Sequence, residues 1–455
     1  MDSTTALANG DDFFKKGQFF RAHAFYNVAL NKCPKDDEKQ LSTIYLNLSQ
    51  THLHLEHLKE AIEASTSSIG YNPDNGRAYL ARAEAKSQMF NWKEAYEDYL
   101  IAQKLLQDDS SISEKIENVK NKMNSAEENR FIVDQVNNVI YDNEFAKKIM
   151  YEMLDDRRPD IMIVKTMIKH IVNMHNNLPN IVNVEHKGIF RIVGDTHGQF
   201  QDLINIFETF GFPSEDNPYL FNGDFVDRGS MGIEILLTLF AWKLANPKSV
   251  YLNRGNHEAR NMNTFYGFEN ECICKYNQQI FDNISDLFET LPLGYIINKK
   301  IFVVHGGLFH DKEMTIDQFQ KLNRYGEPPT SGPINDILWN DPVEENGITP
   351  SPRGSSFTFG PDVTEDFLMK NNFDLLIRSH QVQYDGYLLS HNGKCITIFS
   401  APNYDGIMTN KGAVCKLEFD NNYVLQNVSF EQFEGKPIPE KYQPMKYIQA
   451  YEPLF

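Results

Sequence analysis

Residues 188–198 read GIFRIVGDTHG, an apolar, β-branched run closed by a polar turn. The run has the composition of a buried strand, and Gly194 and Gly198 let the backbone turn sharply on either side of Asp195 and His197. The same punctuation recurs along the chain. YLF precedes GDFVDRG at 223–229, SVYL precedes GNHE at 255–258, and IFVV precedes HGG at 305–307. FDLLI then leads into RSH at 378–380, and CITIF into SAPNY at 400–404. Segments with helical spacing of apolar residues, such as QFQDLINIFETF and MGIEILLTLFAWKLA, alternate with these runs. Short strands alternating with helices imply an α/β fold whose sheets are covered by helices. In such sheets the loops beyond the carboxyl ends of the strands form the binding crevice, so the six polar loops can converge on one site.

The residue types say what that site would hold. Asp195, His197, Asp224, Asn256, His305 and His380 offer carboxylate and amide oxygens and imidazole nitrogens but no thiolate. That donor set suits Mn, Fe or Zn. It is too large for one tetrahedral ion that must leave room for substrate, so two ions sharing a carboxylate fit better. Arg228 in the DRG loop and Arg353 in SPRGSSFTFG add planar guanidinium groups suited to the equatorial oxygens of a phosphoryl group. The implied reaction is phosphoester hydrolysis, in which a metal-bridging water, acidic enough to be hydroxide, attacks phosphorus in line with the leaving oxygen. His257 is placed to protonate the leaving alkoxide if Asp227 holds and orients it, and Glu258 is expected to support the loop as a hydrogen-bond acceptor. Any one of these motifs could be an ordinary turn. Their joint occurrence, with 24 residues between Gly198 and Gly223 and 25 between Gly229 and Gly255, argues for a site.

Residues 1–108 have a different texture. RAHAFYNVALNKCP, KEAIEASTSSIGYNP and KEAYEDYLIAQKLL each place a small residue ahead of spaced apolar and aromatic positions. Ala22, Ala61 and Ala95 mark equivalent points 39 and then 34 residues apart, and Pro34 and Pro73 repeat the 39-residue offset. A helix–turn–helix unit of about 34 residues, with a small residue where helices cross and a proline that stops the second, is the signature of tetratricopeptide repeats. Three units predict a concave groove for an extended peptide. Residues 109–145, charged and rich in helix formers, read as a capping or linking helix.

Composition excludes other classes. A formal net charge of -18 repels polyanions, so no nucleic-acid partner is expected. No stretch approaches the roughly 18 uninterrupted apolar residues of a membrane span, and MDSTTALANGDDFF lacks the pattern of a leader. A cytoplasmic location, with the nucleus as a second, is the expectation. Five cysteines, Cys33, Cys272, Cys274, Cys395 and Cys415, suit reduced thiols.

With GDTHG, GDFVDRG, RGNHE, HGG, RSH and SAPNY all read, the segment from about 150 to 440 resembles the catalytic domain of the phosphoprotein phosphatase family of serine/threonine phosphatases. NPYLFNGDFVDRGS and GPINDILWNDP extend the likeness, and the repeats in front resemble the repeat-bearing branch of that family. The resemblance implies a calcineurin-like metallophosphoesterase β-sandwich flanked by helices at 146–440, followed by a tail at 441–455. It implies Asp195, His197 and Asp224 on one metal, and Asp224, Asn256, His305 and His380 on a second, with Mn or an Fe/Zn pair as the ions. It places Arg228, Asn256, Arg353 and Tyr404 on the phosphate, gives leaving-group protonation to His257 with Asp227, and makes Arg378 structural. Phosphoserine and phosphothreonine proteins would be the substrates. A phosphodiesterase or small-nucleotide phosphatase, and a catalytically silent scaffold, are the competing readings.

The chain also departs from the family pattern. Asn253 stands where the family usually has leucine, and Asp405 where it usually has cysteine. Asp405 brings negative charge toward the phosphate site and is expected to alter substrate or inhibitor preference. In chaperone-binding repeats a clamp of lysine, asparagine and arginine grips a peptide carboxylate, and the aligned positions here are Leu7, Asp11, Asn47, Arg77 and Ala81. Leu7 and Ala81 lack donors and Asp11 repels, which counts against docking of an acidic chaperone tail. Glu56 aligns near a position through which the family's repeats fold back over the active site, and the terminal KPIPEKYQPMKYIQAYEPLF keeps a partial likeness to the segment that supports that contact.

Overall fold

The computed structural model describes residues 1–55, 57–89, 91–107, 111–128, 130–131, 139–354 and 356–437. Glu56 and the terminal segment from 438 lie outside the described residues. Two compact units divide the chain near Arg130.

The first unit is built of helix pairs: Ser3–Lys15 with Phe19–Lys32, Glu38–His54 with Leu58–Tyr71, and Gly76–Gln88 with Trp92–Leu105. Asp2 caps the first helix by accepting the Thr5 N–H, which satisfies one of the donors a helix start leaves open. The repeated small residues do what their spacing predicts. Ala22, Ala61 and Ala95 are each fully buried at helix crossings. At Gly10 a Cβ would lie 2.5 Å from the Tyr26 ring, so any side chain there would push the first two helices apart. The two helices of the second pair are tied by a reciprocal bond in which Ser42 Oγ donates to Ser68 O and Ser68 Oγ to Ser42 O, at 2.9 and 2.7 Å. Asp98, nearly buried, takes Arg82 through two nitrogens at 2.8 and 2.7 Å and Lys86 at 2.9 Å. Helix Ser111–Glu128 continues the stack, its Ile112 and Val119 buried against Tyr99 and Ala102.

The second unit is a sandwich of two mixed sheets. One has the order Leu425–Phe433, Gly412–Phe419, Gly188–Val193, Tyr219–Phe221, Val250–Leu252. The other has the order Tyr387–Ser390, Cys395–Ile398, Leu375–Arg378, Ile301–Val303, Gly294–Ile297, Ile181–Val184. The period of two along each strand divides side chains between a central and an outer core. Phe190, Ile192, Leu220, Cys415 and Leu417 from the first sheet meet Tyr295, Ile301, Val303, Ile377 and Ile396 from the second. On the outer face of the second sheet, Phe302, Val304 and Leu376 pack under helices Pro333–Trp339 and Pro361–Asn371 through Ile337 and Phe367. Burying each such side chain stabilises the fold by about 1.5–3 kcal/mol.

Strands 188–193, 219–221 and 250–252 run parallel in one sheet, and 301–303, 375–378 and 395–398 in the other. Each triplet therefore delivers its following loops to one edge. A parallel bridge between Asp195 and Phe399 joins the two edges. All six apolar runs singled out above coincide with or overlap a strand. The final pair, Gly412–Phe419 and Leu425–Phe433, was not among them because KLEF and LQNVSFEQF carry polar residues on their exposed face. No helix among the described residues is long and apolar enough to cross a membrane.

Candidate active site

The six loops converge. Asp195, His197, Asp224, Asn256, His257, His305 and His380 are all buried at the joined sheet edge. Close approach is possible because Gly223 has φ +90°, and a Cβ there would sit 2.4 Å from the Gly255 nitrogen and 2.9 Å from His305 Nδ1. A side chain at 223 would drive the DRG and NHE loops apart.

Asp224 is the centre of the site. Its Oδ1 accepts the His257 backbone N–H at 2.9 Å, which turns Oδ2 inward. That oxygen is 3.5 Å from His197 Nε2 and 3.4 Å from His305 Nε2. Both imidazoles are aimed from behind: His197 Nδ1–H donates to Val226 O at 2.9 Å and His305 Nδ1–H to Asn222 O at 2.7 Å. Fixing the proton on Nδ1 leaves the Nε2 lone pair facing the centre, the arrangement a metal ligand needs. His305 Nε2 also lies 2.8 Å from Asn256 Oδ1, so two lone-pair donors point at common space. His380 Nε2 is buried with no hydrogen-bond partner among the described residues. Burial, with Arg353 and His305 nearby, keeps its pKa well below the usual imidazole range, so the ring is neutral and able to coordinate.

Two groups of possible ligands form around Asp224: His197, Asp224 and His257, and Asp224, His305 and His380, with ligating atoms in each within 4.8 Å of one another. Asp224 is common to both, as a shared carboxylate should be. Burial opposes charge on His197, but Asp195 and Asp224 outweigh it and lift its pKa to about 9. Carboxylates that hold a proton at that point would also hold a metal cation, so the residues fit a pair of ions. One detail differs from the expected division. His257 stands in the first group where Asp195 was expected, although Asp195 Oδ2 lies 3.7 Å from His197 Nε2; Asp195 Oδ1 accepts the His380 N–H at 3.1 Å.

His257 is held differently from the other histidines. Its Nδ1 is 2.8 Å from Asp227 Oδ2, and Asp227 also accepts from Asn263 Nδ2 at 2.9 Å and Phe268 N at 3.0 Å. Three donors satisfy this buried carboxylate and fix the orientation of its histidine partner. Glu258 takes the supporting role expected of it, accepting from the backbone nitrogens of Asp224, Phe225 and Gly255 at 2.7, 2.9 and 2.8 Å. It thereby ties the DRG loop to the NHE loop.

Arg228 and Arg353 lie at the rim. The Arg228 guanidinium stands 4.3 Å from the Tyr266 ring centroid and 5.9 Å from that of Tyr404. The Tyr404 ring is in turn 5.2 Å from His197. Arg353 Nε donates to Asp341 Oδ2 at 2.7 Å. Arg378 grips the other oxygen of Asp341 at 2.7 Å and Gly306 O at 2.6 Å, a structural role.

Several contributors were invisible in the motif reading. Asn222, Asn263, Tyr266 and Asp341 act by holding other residues, and only Asp341, inside GPINDILWNDP, and Asn222, inside NPYLFNGDFVDRGS, lie in stretches that were singled out. Asn253 is explained here. Fully buried, its Nδ2 donates to Asn222 Oδ1 at 2.9 Å, while Asn222 Nδ2 donates to Val304 O and Ser379 Oγ at 2.7 and 2.9 Å. Asn253 therefore braces the residue whose carbonyl aims His305.

Comparison with known proteins agrees with this geometry. Residues 190–384 match the family model of calcineurin-like phosphoesterases. Human serine/threonine-protein phosphatase 5 is 37% identical over 96% of this chain and 91% of its own length. Serine/threonine-protein phosphatase T of Aspergillus oryzae is 35% identical over 99% of this chain and 98% of its own. The solved structure of a Saccharomyces cerevisiae protein serine/threonine phosphatase aligns with a TM-score of 0.62 at 38% identity, covering 66% of this chain and 98% of that one. Readings as a diesterase or a silent scaffold are not favoured by these relatives. A helical repeat unit followed by a calcineurin-like sandwich, at this identity and coverage, means that the chain belongs to the serine/threonine-protein phosphatase 5 family.

Proposed function

We propose that this phosphatase is metal-dependent and hydrolyses phosphoserine and phosphothreonine monoesters in proteins at a two-metal site centred on Asp224. The observation that carries the proposal is the position of Asp224 Oδ2, almost equidistant from two oriented imidazole nitrogens at 3.5 and 3.4 Å. His197 and Asp224, with Asp195, would hold one ion, and Asp224, Asn256, His305 and His380 the other. Bound there, the ions would polarise the phosphoryl oxygens and acidify a water, with manganese or an iron–zinc pair suiting the donor set.

The chain's own residues do the rest. Arg228 and Arg353 hold the equatorial oxygens, and Arg353 is aimed in advance by Asp341, so little ordering is left for substrate binding. Asn256 and Tyr404 close the phosphate site. His257, with Nδ1–H donated to Asp227, presents Nε2 to the leaving oxygen and gives up a proton there. Asp227 stabilises the positively charged ring before transfer. Helix pairs at 1–108 form a groove for a peptide or protein partner.

The test is elemental analysis of the full chain beside its rate on a phosphothreonine peptide, before and after chelation and after manganese is restored. Two ions per chain and a reversible loss of at least about 100-fold are expected. One ion per chain, or full activity after exhaustive chelation, would overturn the proposal.

A further inference from the structure

The turn after SAPNY carries the departure at Asp405. In Tyr404–Gly406 this residue takes φ 57°, ψ 11°, the left-handed region, which a side chain occupies at a cost. The turn delivers a carboxylate to Arg228. Asp405 Oδ2 lies 3.5 Å from Arg228 Nη1, at side-chain exposures of 18% and 25%. Its other oxygen, Oδ1, is buried and has no hydrogen-bond partner among the described residues. With Tyr266 and Tyr404 against the guanidinium, Asp405 supplies an anionic neighbour where a substrate phosphoryl group would approach. The next residues, Gly406 to Thr409, are exposed, so the carboxylate stands at the outer rim of the site.

We propose that Asp405 is a specificity-determining residue. It disfavours phosphosites flanked by aspartate or glutamate and favours those flanked by lysine or arginine. This rests on the reading of Arg228 as a phosphate-holding residue. A carboxylate competes with phosphoryl oxygens for the same guanidinium donors. It also fixes a negative charge within a few ångströms of any residue adjacent to the phosphorylated side chain. At the intermediate screening of a protein rim, one such charge changes the relative affinity of a cationic and an anionic neighbour by about tenfold.

Two phosphoserine peptides, identical except for Lys or Glu beside the phosphoserine, test the proposal with the full-length protein. For wild type, kcat/KM should favour the Lys peptide by about tenfold in dilute buffer and by less than about threefold near 0.5 M salt. Asp405→Asn should raise the rate constant on the Glu peptide and lower it on the Lys peptide, leaving a preference of about twofold. Asp405→Gly, which removes the charge and relieves the left-handed strain, should behave in the same way, and Asp405→Lys should reverse the preference. Opposite movement of the two peptides is the signature, since a merely structural role would shift both together. A preference that is absent in wild type, or persists in Asp405→Asn and Asp405→Gly, overturns the role of Asp405 while leaving the phosphatase reading intact. Failure of wild type to hydrolyse either peptide overturns both.

Discussion

The two units of this chain spend backbone strain very differently. Among the described residues of the repeat unit, Gly17 alone has a left-handed φ, at 69°. In the catalytic unit, non-glycine residues are held there at His197, Asp224, Asp227, Arg228 and His380, with φ of 38°, 52°, 67°, 70° and 70°. These five are candidate site residues, while others with a positive φ, such as Asn298, Lys299, Asn372 and Tyr423, sit in turns outside the site. Each such conformation costs on the order of 1–3 kcal/mol and persists only where the surroundings over-determine it. Here the sandwich core and the Glu258, Asn222 and Asp227 networks supply that rigidity. The repeat unit needs none, because its structure follows from helix propensity, small residues at crossings and buried polar ties.

The sharpest way to break that contrast is to disarm the strained centre. Asp224→Asn keeps shape and removes the shared charge, so activity on a phosphothreonine peptide should fall by about 10⁴-fold, with bound metal dropping below two per chain. The helical circular dichroism of the repeat unit should be unchanged. Retained stoichiometry at full activity would mean that the strained geometry serves the fold and not the reaction.

Asp227→Asn comes next. It leaves His257 without the carboxylate that supports its charged form, and kcat on phosphopeptides should fall about 10²–10³-fold. On an aryl phosphate, whose leaving group needs no proton, the loss should be under about tenfold. Equal losses on both substrates would assign His257 to metal binding, the alternative its place beside His197 and Asp224 permits.

Asn253→Leu probes how far the site was legible in the sequence. Asp195, His197, Asp224, Asn256, His257, His305 and His380 could be read because each sits in a short polar loop that directly follows an apolar run. The partners that aim them could not. Asn222 works through its carbonyl and Asn253 through one amide hydrogen bond, and neither residue type signals such a task without coordinates. The fold shows the same division. Apolar runs marked six of the strands but not the equally buried Gly294–Ile297, and the internal strand Gly412–Phe419 and the edge strand Leu425–Phe433 interleave polar residues with apolar ones. Leucine at 253 deletes the donor to Asn222, and the catalytic unit should lose about 1 kcal/mol of stability in urea unfolding. The same change should lower kcat by less than about tenfold, through a less firmly held His305.

The smallest effect is expected in the repeat unit, where polar groups are already spent on packing. Asp11 Oδ1 accepts from Asn47 Nδ2 at 2.8 Å and from Tyr26 Oη–H at 2.9 Å. The asparagine that would greet an incoming carboxylate is therefore satisfied by a carboxylate of the chain itself. Ala81, 3% exposed, offers nothing in compensation, although Arg77 remains accessible. Calorimetric titration with an acidic peptide ending in a free carboxylate should give a Kd weaker than about 1 mM. Asp11→Asn removes the repulsion but restores neither missing donor, so tightening should stay within about fivefold. Tight binding by the wild type that disappears in Arg77→Ala would show that one exposed arginine suffices, and that the groove is tuned by what reaches into it more than by its internal bonds.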